Sequence, residues 1–105
     1  MKPKITPWDV TDYLKTEEDI AEYLNAAAER NDPELFQAAL GDVARARGMT
    51  NMAKQTGLSR ENLYRALSKD GNPRLKTLEK IFDALGIEVV FRKKTPKDKS
   101  SNPVE

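Results

Sequence analysis

Arg60, Asn62, Tyr64 and Arg65 are the residues of this sequence best placed to act on another molecule, and their chemistry is recognition. They lie in Met49–Lys69, MTNMAKQTGLSRENLYRALSK, which reads as helix, tight turn, helix. In the second helix Leu63, Ala66 and Leu67 fall at i, i+3 and i+4, so they share one buried face. The opposite face then carries Glu61, Arg65 and Ser68, flanked by Asn62, Tyr64 and Lys69. Arg, Asn, Ser and Tyr are the side chains that read base edges and hold phosphates. A helix N-terminus also favours a phosphate through its free N–H groups and its dipole. The plainer reading of the same residues is a solvated helix with Glu61 and Arg65 spaced for an i, i+4 contact.

The turn chemistry supports the unit. Thr50 is a candidate cap for the first helix, whose small apolar face is Met52 and Ala53. Gly57 can take the left-handed conformation that ends a helix, Leu58 plugs the corner, and Ser59 is a good N-cap for the second helix. Two helices joined by a short Gly-containing turn are the signature of a helix-turn-helix.

Composition narrows the alternatives. A chain of 105 residues is one domain with at most a small addition. With 33% charged residues and a mean hydropathy of −0.72, a soluble, cytoplasmic protein is expected, with neither a membrane span nor the apolar stretch of a signal peptide. No cysteine and no histidine are present, which removes disulfides, thiolate sites and the commonest general base and zinc ligand. No phosphate loop and no metal-ligand spacing appear, so no enzyme, cofactor or metal is expected. The net charge of +1 hides a split. Residues 1–44 hold 4 Lys and Arg against 10 Asp and Glu, and residues 45–105 hold 14 against 7. Such asymmetry suggests two surfaces: a basic one for nucleic acid and an acidic one for a basic protein.

The remaining elements follow in order. Residues 1–15 form an arm broken by Pro3 and Pro7, with Ile5, Trp8, Val10, Tyr13 and Leu14 as apolar anchors. They either cover the domain's own core or dock a partner. A helix is predicted over Thr16–Asn31, with a Thr16/Asp19 capping box and Glu17, Glu18 and Asp19 in its first turn. Its apolar stripe is Ile20, Tyr23, Leu24, Ala27 and Ala28, with Glu22 and Glu29 outside. Asp32 and Pro33 open a second helix to Arg47, with Leu35, Phe36, Ala39, Leu40 and Val43 inward and Gly48 closing it. Gly41 inside this helix would allow a close crossing. After the loop SKDGNP, Pro73 opens a last helix to Leu85, with Leu75, Leu78, Ile81, Phe82 and Leu85 on one face. Gly86 ends it, and Ile87, Val89 and Phe91 alternate with Glu88, Val90 and Arg92 as a half-buried strand would. That strand needs a partner, from a second copy of the chain or from another protein. Residues 93–105 are polar and are expected to be a disordered tail.

The stretch ALGDVARARGMTNMAKQTGLSRENLYRALSKDGNPRLKTLEKIFDALGIEV, with YLKTEEDIAEYLNAAAERNDPELFQAAL before it, closely resembles the Xre-type antitoxins called probable addiction module antidote proteins, related to HigA-type antitoxins. The resemblance covers about residues 13–90; EEDIAEYL, LGDVARARGM and GLSRENLYRALSKDGNP, in that order, are its distinctive parts. It implies an all-α, five-helix lambda-repressor-like domain over residues 16–92, with the N-terminal arm and a short C-terminal β-strand. It also implies a homodimer that binds double-stranded operator DNA, represses its own operon and neutralises a RelE/ParE-like toxin. Carried over residue by residue, Arg60, Asn62, Tyr64 and Arg65 would enter the major groove behind Ser59. Thr50, Asn51 and Gln55 would hold the DNA backbone with Lys69 and Arg74. From charge and aromatic content, Trp8, Tyr13, Glu17, Glu18 and Glu22 are candidates to contact the toxin, whose basic surface the acidic half would suit. The alternative is a stand-alone, phage-type repressor without a toxin. A small basic neighbouring gene separates the two.

Overall fold

A computed structural model describes residues 13–94. Among them are five helices and no strand: α1 (Glu17–Glu29), α2 (Pro33–Arg47), α3 (Met49–Thr56), α4 (Arg60–Leu67) and α5 (Leu75–Leu85). None is long and apolar enough to cross a membrane. Ile5, Trp8 and Val10 of the arm, and the expected tail from residue 95 on, lie outside the described residues.

The first two helices start where their side chains can close the free N–H groups. Thr16 Oγ1 accepts from the Asp19 N–H at 3.1 Å, and Asp19 Oδ2 accepts from the N–H of Thr16 at 3.1 Å. Asp32 Oδ1 accepts from the N–H groups of Glu34 and Leu35, at 3.1 and 3.3 Å, with Pro33 in the first turn. α1 ends two residues before the expected Asn31, because Asn31 itself turns the chain at φ 56°. Asparagine tolerates that conformation better than most residues.

α2 is the central element. It packs on α1 along one side and touches α3, α4 and α5 along the others, while α1 and α4 share no comparable contact. Leu40 and Val43 are wholly buried with Ile20, Met52, Leu63, Ile81 and Leu85 from the other four helices. Burying each such side chain contributes about 1.5–3 kcal/mol. Gly41 does permit a close crossing: a Cβ there would stand 3.3 Å from the Leu67 carbonyl oxygen. The α2 stripe is wider than its cover, and Leu35 stays 38% exposed. Ala28 of α1, expected in the stripe, is exposed.

Gly48, at φ 95°, serves as the end of α2 and the start of α3 at once. Thr50 therefore does not cap α3. The helix begins one residue before it, at Met49, with no side-chain cap. Gly57, at φ 78°, ends α3 as expected, and its N–H donates to the Ala53 carbonyl at 3.0 Å. Thr56 is buried in the corner, where its hydroxyl accepts from the Leu58 N–H at 3.2 Å.

Two expectations for the C-terminal third are corrected. α5 starts at Leu75 rather than Pro73, with Arg74 as an N-cap that makes no side-chain bond. Leu75 is 71% exposed, because the apolar stripe runs one position past the residues that cover it. The expected strand after Gly86 is absent among the described residues. Ile87 packs on the core and its N–H donates to the Phe82 carbonyl at 3.1 Å. The described chain offers nothing for Glu88–Phe91 to pair with, and a strand exists only by pairing.

Candidate nucleic-acid interface

α4 presents an exposed polar face because its other face is locked. Leu63 and Leu67 are buried, Ala66 is half-buried, and Ser59 caps the start by accepting from the Asn62 N–H at 3.0 Å. Gln37 of α2 secures the other end: its Nε2 donates to the carbonyls of Ala66, at 2.8 Å, and Ser68, at 2.9 Å. The Ala66 carbonyl lies in the last turn of α4, where carbonyls lack a partner within the helix, and the Ser68 carbonyl also accepts from the Gly71 N–H at 2.9 Å, so one amide ties the helix end to the turn that follows it. The turn behind α4 closes on Gly71. A Cβ there would lie 2.7 Å from the Arg65 carbonyl oxygen and closer still to that of Ala66. Glycine is needed for that approach. The turn-forming role of Asp70–Gly71 was readable from the sequence, whereas the roles of Gln37 and of this close approach were not.

On the free face the predicted residues form two small networks. Arg60 donates from Nη1 to the Thr50 hydroxyl at 3.2 Å and from Nη2 to the Tyr64 hydroxyl at 3.1 Å. Its Cζ lies 5.6 Å from the centre of the Tyr64 ring, within cation–π range. Arg65 donates to Asn62 Oδ1 at 3.2 Å and stands 3.8 Å from the Glu61 carboxylate. With those two side chains 71% and 84% exposed, the ion pair contributes little, roughly 0.5 kcal/mol. Both arginines thus lean mainly on neutral oxygens. Thr50 belongs to the site, joined to α4 through Arg60.

A cleft of about 590 Å³ opens beside α4, lined by Leu58, Asn62, Arg65, Arg74, Pro73 and Thr77 among others. It brings Arg74 to the two α4 side chains, with Thr77, which the sequence places with Arg74 near the start or on the polar side of the last helix. Asn51 and Gln55 on α3 and Lys69 after α4 are exposed and make no side-chain hydrogen bond to a described residue. The starts of α3 and α5 have neither a side-chain cap nor an acidic residue in the first turn.

The acidic side is organised differently. Glu17 is tied down: Arg47 Nη2 stands 3.0 Å from its carboxylate, and its side chain covers Gly86. The backbone N–H of Glu17 and the Arg47 guanidinium hold its carboxyl below the ordinary 4.5. Glu18, Glu22 and Tyr13 are exposed, and Trp8 lies outside the described residues. Between α1 and α2 the Tyr23 hydroxyl donates to Asp42 Oδ2 at 2.7 Å, and Asp42 pairs with Arg45 at 2.6 Å. Burial, with Asp42 alongside, pushes the Tyr23 phenol up to about 12. Among the described residues no group of His, Cys, Asp and Glu could hold a metal.

The model of the probable addiction module antidote protein family matches residues 4–93. This chain belongs to that family. An antidote implies a toxin partner. A relative from Haemophilus influenzae, described as an uncharacterized protein, is 43% identical over 88 residues, covering 84% of this chain and 91% of its own. No solved structure matches the chain.

Proposed function

We propose that this antidote is a HigA-like, Xre-type antitoxin that binds operator DNA through a helix-turn-helix, α3 and α4, and neutralises a RelE/ParE-like toxin. The observation that carries the DNA reading is the face of α4. It offers Arg60, Asn62, Tyr64 and Arg65 to solvent on a helix fixed at both ends by Ser59 and Gln37. α4 enters the major groove, where arginine and asparagine match base edges. Thr50, Asn51, Gln55, Lys69 and Arg74 hold the phosphates, helped by the open starts of α3 and α5. A homodimer sets two such helices on half-sites about one helical turn apart. The molecule works by binding; it is not an enzyme.

The toxin reading rests on the family and on charge. Exposed Glu18 and Glu22 lie on α1, which packs chiefly on α2, whereas α4 packs on α2 and α3. A basic toxin there leaves the DNA face open, so one molecule serves both partners. Co-expression with the neighbouring gene, tagging only this chain, tests the pairing. Recovery of a stoichiometric small basic protein that is toxic when expressed alone supports it. Recovery of this chain alone, bound to its own promoter, makes it a plain repressor.

A further inference from the structure

The segment after α5 carries three consecutive exposed apolar side chains. Val89, Val90 and Phe91 are 56%, 67% and 94% exposed. Ile87 anchors the segment to the core, and from Glu88 to Lys94 no backbone group bonds to a described residue. A β-prone run with unpaired N–H and C=O groups recruits a strand. The run itself specifies which one. Laid antiparallel on a second copy, with Val90 opposite Val90, it sets Glu88 against Arg92 twice and Val89 against Phe91 twice. Each of these pairs is complementary. Centring on Val89 or Phe91 instead breaks the Glu88–Arg92 pairs, and a one-residue slip mismatches the two faces. Parallel pairing sets Glu88 beside Glu88.

We infer that residues 87–92 of two copies form an antiparallel two-stranded ribbon centred on Val90, and that this ribbon is the homodimer interface. Ile87, Val89 and Phe91 of both copies then share one apolar face, with Ile87 already joining it to the helical core. Two strands alone are marginal, and that junction ties the ribbon to a packed body. The inference rests on the dimer in the proposed function and needs neither the DNA nor the toxin.

The test uses the full chain, which has no cysteine of its own. At a centred antiparallel pair the Cα atoms stand about 4.5 or 5.5 Å apart, within reach of a disulfide. V90C is therefore expected to form a covalent dimer under mild oxidation at least about tenfold faster than E29C, at the exposed end of α1. In sedimentation, E88R and R92E should each weaken the dimer about tenfold, and the double swap E88R/R92E should restore it. A monomeric wild type, V90C no faster than E29C, or a double swap no better than either single change overturns the ribbon. Promoter binding by wild type, measured separately, reports on the DNA reading: a ribbon dimer that ignores its promoter sinks that reading alone, and a promoter-bound monomer sinks the ribbon and the dimer while leaving DNA binding standing.

Discussion

Two pairs of helix starts in this molecule behave in opposite ways. α1 and α2 close theirs with the protein's own oxygens, Thr16 and Asp19 in one and Asp32 in the other, and follow with acidic residues. α3 and α5 leave theirs without a side-chain cap and without an acid in the first turn. Each closed start stabilises the fold by about 1 kcal/mol, so the open ones forgo stability. The open pair flanks α4, and the closed pair belongs to the acidic half. The same contrast holds for the arginines. Arg47 is committed to Glu17, whereas Arg60 and Arg65 rest chiefly on hydroxyl and amide oxygens and stay available. The contrast in helix starts concerns those that flank α4 and not α4 itself, whose own start is closed by Ser59 with Glu61 in the first turn.

Closing an open start should cost function while improving stability. Arg74→Asp caps α5 and is expected to raise stability by about 1 kcal/mol in urea denaturation. It should also weaken promoter binding at least tenfold and reduce the salt slope by about 1. Weaker stability, or unchanged binding, breaks the contrast. Gln37→Leu removes two hydrogen bonds from the end of α4, for a loss of about 1–2 kcal/mol. Promoter affinity should fall with it, since α4 is then held at one end only. Asp32→Ala opens a closed start and should cost about 1 kcal/mol with promoter affinity unchanged. The smallest effect is at Glu17. Its folded pKa lies below 4.5, so its stabilising effect is present above that pH and disappears as pH falls through the folded value. Between about pH 5 and 3, wild type should therefore lose slightly more stability than Glu17→Gln, and equal slopes would remove the Arg47–Glu17 pair from the account.

What was legible in the sequence was local. The Thr16–Asp19 box, Asp32–Pro33 and the glycines at 48, 57 and 86 act within a few residues of themselves, and each marks its boundary. Thr50 was misread because Gly48 ends one helix and starts the next, leaving the threonine inside α3 to meet Arg60. The stripe on α5 named Leu78, Ile81, Phe82 and Leu85 correctly but not Leu75, since periodicity cannot say where the covering elements stop. The alternation at 87–91 signals pairing capacity only, and residues 88–94 make no backbone bond to a described residue. Gln37 and Gly71 act across tertiary contacts, and an isolated glutamine on a helix carries no sequence signal for that. The residues of the exposed α4 face were legible as types on a face. Their grouping into an Arg60–Thr50–Tyr64 set and an Arg65–Asn62 set was not.

The most direct measurement is the affinity of wild type and Arg65→Ala for the protein's own promoter and for a scrambled duplex of equal length, across a salt series. Arg65 is 71% exposed and its Glu61 pair contributes little, so the substitution should leave the fold intact. The account predicts that wild type prefers the promoter and that Arg65→Ala loses about 1–3 kcal/mol on it while scrambled binding changes far less. Equal affinity of wild type for both duplexes, or an unchanged preference in the variant, would contradict the claim that α4 reads DNA.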